Sequence, residues 1–207
     1  ELIASKGKPV IISTGIAEQE DIELALDACK RMGNTNIALL KCTSSYPAPI
    51  EEANMAMVKD LAERYGVISG LSDHTIGSIV PIVATALGAK IIEKHFILDR
   101  SIGGADASFS MNEKEFTEMV KAVREAESAI GVIDYTLTEK QQKGRDFCRS
   151  LYVVKDIKED EVFTQENVRS VRPGFGLHPK FYKDILGKEA KVDLQKGTAL
   201  QISFIKK

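Results

Sequence analysis

Two histidines with acidic neighbours are the residues whose types and spacing best suit chemistry. His74 directly follows Asp73, His95 follows Glu93 by two positions, and no other histidine occurs before position 178. Neutral imidazoles that face one cavity can hold a divalent metal ion, with water or an acid completing the shell. The alternative for each histidine is an ordinary polar loop residue without a ligand.

The spacing around His95 also predicts where its neighbours point. Glu93 and His95 are two residues apart, so on a β-strand their side chains lie on the same face. A carboxylate that faces an apolar interior is costly unless it is paired or functional. Lys94 would point outward, toward the helices, and we expect a lysine that extends its ammonium to the surface. Asp106 lies in a glycine-containing loop, where a solvated turn aspartate is the alternative to a ligand.

Small hydroxyl residues occur where predicted strands end. Hydroxyls next to the backbone N–H groups at helix N-termini can bind a phosphate. Each of them alone is typical of a helix N-cap that needs no ligand, and only the set as a whole suggests a phosphate site. The sequence has no Walker loop and no GxGxxG motif, so the prediction of a phosphate site depends on these hydroxyl residues alone. They are Ser13, Thr14, Thr43, Ser44 and Ser72.

Four strand-and-helix units must position these residues. Short apolar runs at residues 8–14, 36–42, 67–71 and 89–96 predict buried parallel strands. Apolar residues at helical spacing follow each run, and the last helix, ending near Ile130, follows a capping-box pattern at residues 110–113. This alternation predicts a parallel α/β architecture.

The placement of the polar residues favours a barrel over an open sheet. Every predicted strand has polar residues at its carboxyl end, and in a (β/α)₈ barrel these ends meet on the active-site face. An open doubly wound sheet would instead concentrate function at one switch point. Four units cannot close a barrel of eight, so we predict half of a TIM barrel in residues 1–131. Because the sequence begins without Met, as if at the end of a helix, we expect it to be part of a longer chain.

The character of the sequence changes after Gly131. Residues 132–149 are charged and predict a linker or a short helix. Residues 150–207 combine short β-like runs with Gly and Pro turns, which predicts a small β domain near the lower size limit for independent folding.

Composition excludes several classes of protein. A net charge of −2 gives no bias toward nucleic acid or an anionic membrane. The longest apolar run, residues 79–87, is far shorter than the roughly 20 residues that cross a bilayer. The three cysteines match no zinc or disulfide spacing. We therefore expect a cytoplasmic protein whose partners are neither nucleic acid nor membrane.

Six short strings stand out along the chain: Gly70-Leu-Ser-Asp-His-Thr75, Ala86-Leu-Gly-Ala89, Ile91-Ile-Glu-Lys-His-Phe96, Cys42-Thr-Ser-Ser-Tyr-Pro47, Gly104-Ala-Asp106 and Arg172-Pro-Gly174. Together they closely resemble the NeuB-type sialic acid synthase family over nearly the whole chain. Within that family, Ser44 and the stretch at residues 107–110 are most similar to pseudaminic acid synthases. The resemblance implies an α/β fold, the C-terminal half of a (β/α)₈ TIM barrel, followed by a small antifreeze-like SAF domain of the β-clip type.

This resemblance implies a condensation. The family joins phosphoenolpyruvate to the open-chain aldehyde of an N-acetylated amino-hexose and releases phosphate and a nine-carbon 2-keto acid, with Mn²⁺ or Mg²⁺ as cofactor. It further implies a domain-swapped homodimer. The matching positions imply Glu93, His74 and His95 as catalytic residues, the same two histidines as metal ligands, Ser13, Ser44 and Ser72 at phosphoenolpyruvate, and Tyr46, Asp106 and the partner copy's Arg172 at the sugar.

The family's first four barrel units do not occur in this sequence, so we expect the chain alone to be inactive and the longer enzyme to be active. Two alternatives stay open: a non-catalytic fragment or sugar-binding module, and another metal-dependent aldolase or phosphoenolpyruvate-using synthase. The latter would not need Arg172 or the C-terminal domain. Pseudaminic, sialic and legionaminic acid are all compatible products.

Overall fold

The computed structural model describes residues 1–206, which divide after Val132 into two compact units. The first unit contains a four-stranded sheet in which every neighbouring pair is parallel, in the order β1-β2-β3-β4. Its strands are β1 (Val10–Ser13), β2 (Ile37–Cys42), β3 (Ile68–Asp73) and β4 (Ile91–Lys94), and its helices are α1 (Gln19–Arg31), α2 (Ala56–Tyr65), α3 (Ile79–Ala86) and α4 (Glu113–Ile130). Sequential parallel strands joined by helices form half a TIM barrel, which confirms the predicted fold class.

The helices pack on one face of this sheet because their apolar residues recur on one side. Leu26 of α1 and Leu61 of α2 bury against Leu39 of β2. Val58 of α2 packs with Leu71 of β3 in a second cluster. Burying a side chain of this size stabilises the fold by about 1.5–3 kcal/mol. These clusters fix the strands, and therefore the residues that follow them.

The other face of the sheet, the inner face of a barrel, is partly uncovered in this unit. Ile11 and Ile68 are 55% and 53% exposed. At Gly70 an added Cβ would lie 2.5 Å from the Ile91 carbonyl oxygen and 2.5 Å from Leu40 Cδ2, so β3 needs glycine there to lie against its neighbours.

The predicted start of α4 is wrong by two residues. Its capping box is formed by Asn112 and Glu115, whose side chains each accept from the other's backbone N–H at 3.0 and 2.9 Å. Ser110 instead donates its hydroxyl proton to the Asp106 carbonyl at 2.6 Å. The serine therefore closes the preceding loop and does not cap the helix.

The second unit is small and β-rich. Strands β5 (Ser150–Val153) and β6 (Val168–Val171) pair antiparallel, and isolated bridges link the remaining segments. The charged segment that precedes β5 contains a short helix, α5 (Glu139–Gly144), and α6 (Tyr182–Ile185) follows β6. One apolar cluster fills the unit, and its fully buried members include Leu151, Phe163 and Leu200. Within residues 1–206, no helix is long and apolar enough to cross a membrane.

Candidate functional site

The two histidines lie beside each other at the carboxyl ends of β3 and β4. His74 directly follows β3 and His95 directly follows β4, and their ring centroids are 5.1 Å apart. His74 is 7% exposed, so its imidazole lies within the fold. The structure therefore brings together the two residues that were predicted to face one cavity.

The ring of His74 is oriented by the β2 loop. Its Nδ1 lies 2.8 Å from the Thr43 carbonyl oxygen. Because a carbonyl oxygen can only accept, this contact assigns the proton of a neutral imidazole to Nδ1 and leaves the lone pair on Nε2. Metal-binding histidines usually donate their second ring N–H in this way. Cys42 Sγ lies 3.9 Å from the same Nδ1.

His95 is held in an aromatic cluster and faces an acid. Its Nδ1 lies 3.6 Å from Asp106 Oδ2. Its ring centroid lies 5.0 Å from that of Phe109. The ring centroid of Tyr46 lies 4.3 Å from that of His74, in a tilted arrangement, and 6.3 Å from that of His95, edge-on. The structure thus gathers Tyr46, Asp106 and both histidines. Phe109 was not predicted, since one phenylalanine in a loop carries no recognisable pattern.

Ser72 and Glu93 lie opposite each other in the β3–β4 register. Ser72 Oγ donates a hydrogen bond of 2.7 Å to Glu93 Oε1. Ser72 is 4% exposed, whereas Glu93 is exposed on the inner face of the sheet. An acceptor carboxylate is therefore available at the strand ends next to the histidines.

The prediction of a surface Lys94 is wrong. Its Nζ lies 2.6 Å from Asp73 Oδ2, and both side chains are only 1% exposed. Lys94 does lie on the face opposite Glu93, as expected from strand periodicity. It meets the carboxylate of the neighbouring strand there because Asp73 is its register partner.

The five hydroxyl residues divide into two groups. Thr14 Oγ1 accepts from the Cys42 backbone N–H at 3.2 Å, and Thr43 Oγ1 donates to the Glu52 carbonyl at 3.2 Å, so both threonines hold loop structure. Ser13 and Ser44 are exposed. Together with Ser72, the two exposed serines place hydroxyls at the carboxyl ends of three adjacent strands.

Lys41 is a further charged residue that the sequence did not single out. Its Nζ donates to the Cys42 carbonyl at 2.7 Å and to Thr43 Oγ1 at 3.2 Å. Burial lowers the pKa of Lys41 below its ordinary value, partly offset by the charge of Cys42 when that thiol ionises. This ammonium braces the loop whose carbonyl orients His74.

Arg172 belongs to the second unit, at the turn after β6, where it is exposed. Ser150 fixes this turn: its Oγ donates to the Pro173 carbonyl at 2.7 Å and accepts from the Gly176 N–H at 2.9 Å. The exposed guanidinium therefore lies on a braced turn, and its fork of N–H donors suits a planar acceptor.

No three His, Cys, Asp or Glu side chains converge on a metal position in the part of the chain that the structure describes. The donor groups at the strand ends are two imidazoles, the Asp106 carboxylate that faces His95, and the Glu93 carboxylate that accepts from Ser72. Nitrogen and oxygen donors of this kind suit a divalent first-row ion, with water, substrate or segments beyond these residues completing its shell.

Comparison with known proteins places these features in a family. Pseudaminic acid synthase from Campylobacter jejuni is 51% identical over 202 residues, which are 98% of this chain and 59% of the relative. Pseudaminic acid synthase from Helicobacter pylori is 46% identical over 208 residues, which are 100% of this chain and 61% of the relative. The chain thus spans about three-fifths of the length of these relatives.

A solved structure and two family models agree with this match. The crystal structure of the spore coat polysaccharide biosynthesis protein SpsE from Bacillus subtilis aligns with a TM-score of 0.60 at 32% identity, covering 99% of this chain and 63% of that one. Residues 1–135 match the model of the NeuB family, and residues 149–206 match that of the SAF domain. The chain therefore belongs to the NeuB family, and a SAF domain follows the half barrel in its sequence.

Proposed function

We propose that this chain is part of a synthase that condenses phosphoenolpyruvate with the aldehyde of an N-acetylated amino-hexose. The products would be phosphate and a nine-carbon 2-keto acid, with pseudaminic acid favoured by the names of its relatives. The observation that carries the proposal is the pair of histidines at two strand ends, whose ring centroids are 5.1 Å apart. Because the Thr43 carbonyl faces His74 Nδ1, the Nε2 atom of that ring is available to a ligand.

His74 and His95 are the proposed ligands of a divalent metal ion, either Mn²⁺ or Mg²⁺. When bound, the ion would supply a Lewis acid for the aldehyde oxygen. The protein's part is to hold both imidazoles. Thr43 and Asp106 do so by facing the Nδ1 atoms of His74 and His95.

The three strand-end serines would bind phosphoenolpyruvate. Hydroxyl donors at Ser13, Ser44 and Ser72 match its phosphate and carboxylate oxygens. Ser72 already donates to Glu93, so a bound anion would compete for that proton and release the carboxylate. Glu93 would then accept a proton from the water that adds at C2, which is the role of a general base.

Tyr46 and Asp106 lie beside the histidines and would bind the sugar near its reacting carbon. We propose that Arg172 binds the N-acyl carbonyl of a substrate held by a partner copy, in a domain-swapped homodimer, because its fork of N–H donors is exposed on a braced turn. All three cysteines, Cys29, Cys42 and Cys148, are free, which supports a reducing cytoplasmic location.

Four parallel strands do not enclose a barrel, so the site needs further strands to close around the substrates. We propose that the complete enzyme supplies them and that the chain of 207 residues alone has no synthase activity. Normal turnover by this chain alone would contradict that part of the proposal.

The test is product analysis by mass spectrometry, with the complete enzyme, phosphoenolpyruvate, Mn²⁺ and a panel of N-acetylated amino-hexoses. We expect one nine-carbon 2-keto acid, and we expect His74→Ala to lower product formation and Mn²⁺ affinity at least about 100-fold, since loss of an outer-shell partner alone costs 10–100-fold.

The matched control is His178→Ala. That histidine lies in the second unit, where its Nδ1 accepts from the Lys180 N–H at 3.0 Å, so its loss should leave both measurements unchanged. Unaltered Mn²⁺ binding in His74→Ala would refute the metal assignment, and absence of any keto acid with the whole panel would refute the synthase.

A further inference from the structure

We propose that the buried Lys94–Asp73 ion pair is a positioning device that holds the two histidines at the spacing that metal binding needs. This inference rests on the proposed metal role of His74 and His95. Asp73 directly precedes one histidine and Lys94 directly precedes the other, and the two are register partners on adjacent strands. A single contact therefore couples the main chain at both ligand positions.

The ammonium of Lys94 binds on both sides of His74. Its Nζ lies 2.6 Å from Asp73 Oδ2 and donates to the Thr75 carbonyl at 2.5 Å. The second oxygen of Asp73 accepts from the Thr75 N–H at 2.9 Å. The residues before and after His74 are thus tied to one charge on β4, which fixes the point where His74 leaves its strand.

Contacts on the opposite side complete the restraint. The His74 carbonyl accepts from the Ala48 N–H at 3.0 Å, and its Nδ1 donates to the Thr43 carbonyl at 2.8 Å. With the main chain fixed by Lys94 and the ring fixed by Thr43, the direction of Nε2 is determined. Neither Asp73 nor Lys94 has a place in the proposed chemistry, since both lie on the face opposite Ser72 and Glu93.

Stability alone is a poor explanation for this pair. Side chains that are 1% exposed lose nearly all hydration, and a buried ion pair is often no more stabilising than apolar residues of the same volume. What an apolar pair would lack is the set of directed hydrogen bonds to Thr75. A stabilising role and a positioning role therefore predict different results when neutral residues replace the pair.

The test compares Lys94→Met with the double variant Asp73→Asn/Lys94→Met in the complete enzyme. Lys94→Met leaves a buried carboxylate without its cation, so both the melting temperature and the Mn²⁺ affinity should fall. The double variant leaves no buried charge, so its melting temperature should recover. Its Mn²⁺ affinity, measured by calorimetry, should stay about 10- to 100-fold weaker than that of the unaltered enzyme, as for a lost outer-shell contact.

A second readout needs no metal. In the metal-free enzyme, the ¹⁵N imidazole spectrum should show a protected Nδ1–H on His74, and both variants should lose that protection. Because this signal does not depend on Mn²⁺, it separates the two proposals. An unaltered enzyme that binds no Mn²⁺ refutes the metal role, while a protected Nδ1–H in both variants refutes the positioning role.

Val58→Ala is the matched control for general destabilisation. Val58 is 0% exposed in an apolar cluster that also contains Leu71. This variant should lower the melting temperature and keep the Mn²⁺ affinity. The positioning role is overturned if Val58→Ala weakens Mn²⁺ as much as Lys94→Met does, or if the double variant regains full affinity.

Discussion

The two units differ in how they cover their apolar surface. The second unit closes one cluster around itself, in which Leu151, Phe163 and Leu200 are 0% exposed. The first unit builds its clusters only between helices and sheet, and on the inner face Ile11 and Ile68 stay more than half exposed. The second unit thus has a self-sufficient core, one that it buries without help from other segments. The half barrel buries only the helix-covered face of its sheet, and the proposed chemistry lies on the other face.

The largest effect is expected in the closed core. Phe163→Ala should lower the free energy of unfolding of the second unit by about 3–5 kcal/mol, because it opens a cavity around a fully buried ring. Urea denaturation measures this change. Phe147→Ala is the control, since Phe147 is 73% exposed and its loss should change the value by less than about 0.5 kcal/mol. Equal effects of the two variants would contradict a self-sufficient core.

An intermediate effect is expected at alkaline pH, where the free energy of unfolding should change with pH in opposite directions in the two units. Burial lowers the pKa of Lys41 below the ordinary 10.5, so between the two values the unfolded chain binds more protons and unfolding free energy rises with pH. A hydrogen bond from Lys158 to Asp193 raises the pKa of Lys158, so its contribution is complete below 10.5 and is lost as pH rises through the raised value.

Urea denaturation of each unit at increasing alkaline pH checks both signs. Lys41→Met should abolish the rise in unfolding free energy with pH in the first unit. Lys158→Met should abolish the fall in unfolding free energy with pH in the second unit. Lys59→Met is the control, because Lys59 is exposed and its Nζ lies 3.6 Å from Glu63 in a surface pair. If Lys41→Met leaves the alkaline slope of the first unit unchanged, burial of that ammonium does not influence its protonation.

The smallest effect is expected on the uncovered face. Ile11→Ala should cost less than about 0.5 kcal/mol in this chain, because the side chain is 55% exposed. Leu39→Ala on the neighbouring strand is the matched control and should cost about 2–5 kcal/mol, since Leu39 is 0% exposed. In the complete enzyme the cost of Ile11→Ala should increase. An unchanged cost there would show that no further strand covers this face.

Periodicity and strand-end polarity were enough to predict the four parallel units, because β2 is buried along almost its whole length and the helices bury one stripe each. The strand boundaries were harder to predict. Strand β3 was expected to end at Leu71, yet it continues through Ser72 and Asp73. Polar residues extend a strand when the next strand supplies partners, and here Glu93 and Lys94 do so.

The site could be predicted only where side chains carry the information. The histidines were found from their residue type and from their position at strand ends. Thr43 was noted for its hydroxyl, but its carbonyl orients His74, and a backbone acceptor leaves no mark on residue type. Lys94 was misplaced because its partner is 21 positions away, and only the register of β3 and β4 reveals the pair.

The order of the sheet has a consequence for handling the protein. Strands β1 and β4 are the outermost of the four, so one side of each offers unpaired backbone N–H and C=O groups. Such edges are templates for strands of other molecules, and a closed barrel has none. Isolated half barrels would therefore be prone to self-association in solution. The strands that complete the site would also protect the protein from aggregation, because they pair with these edges.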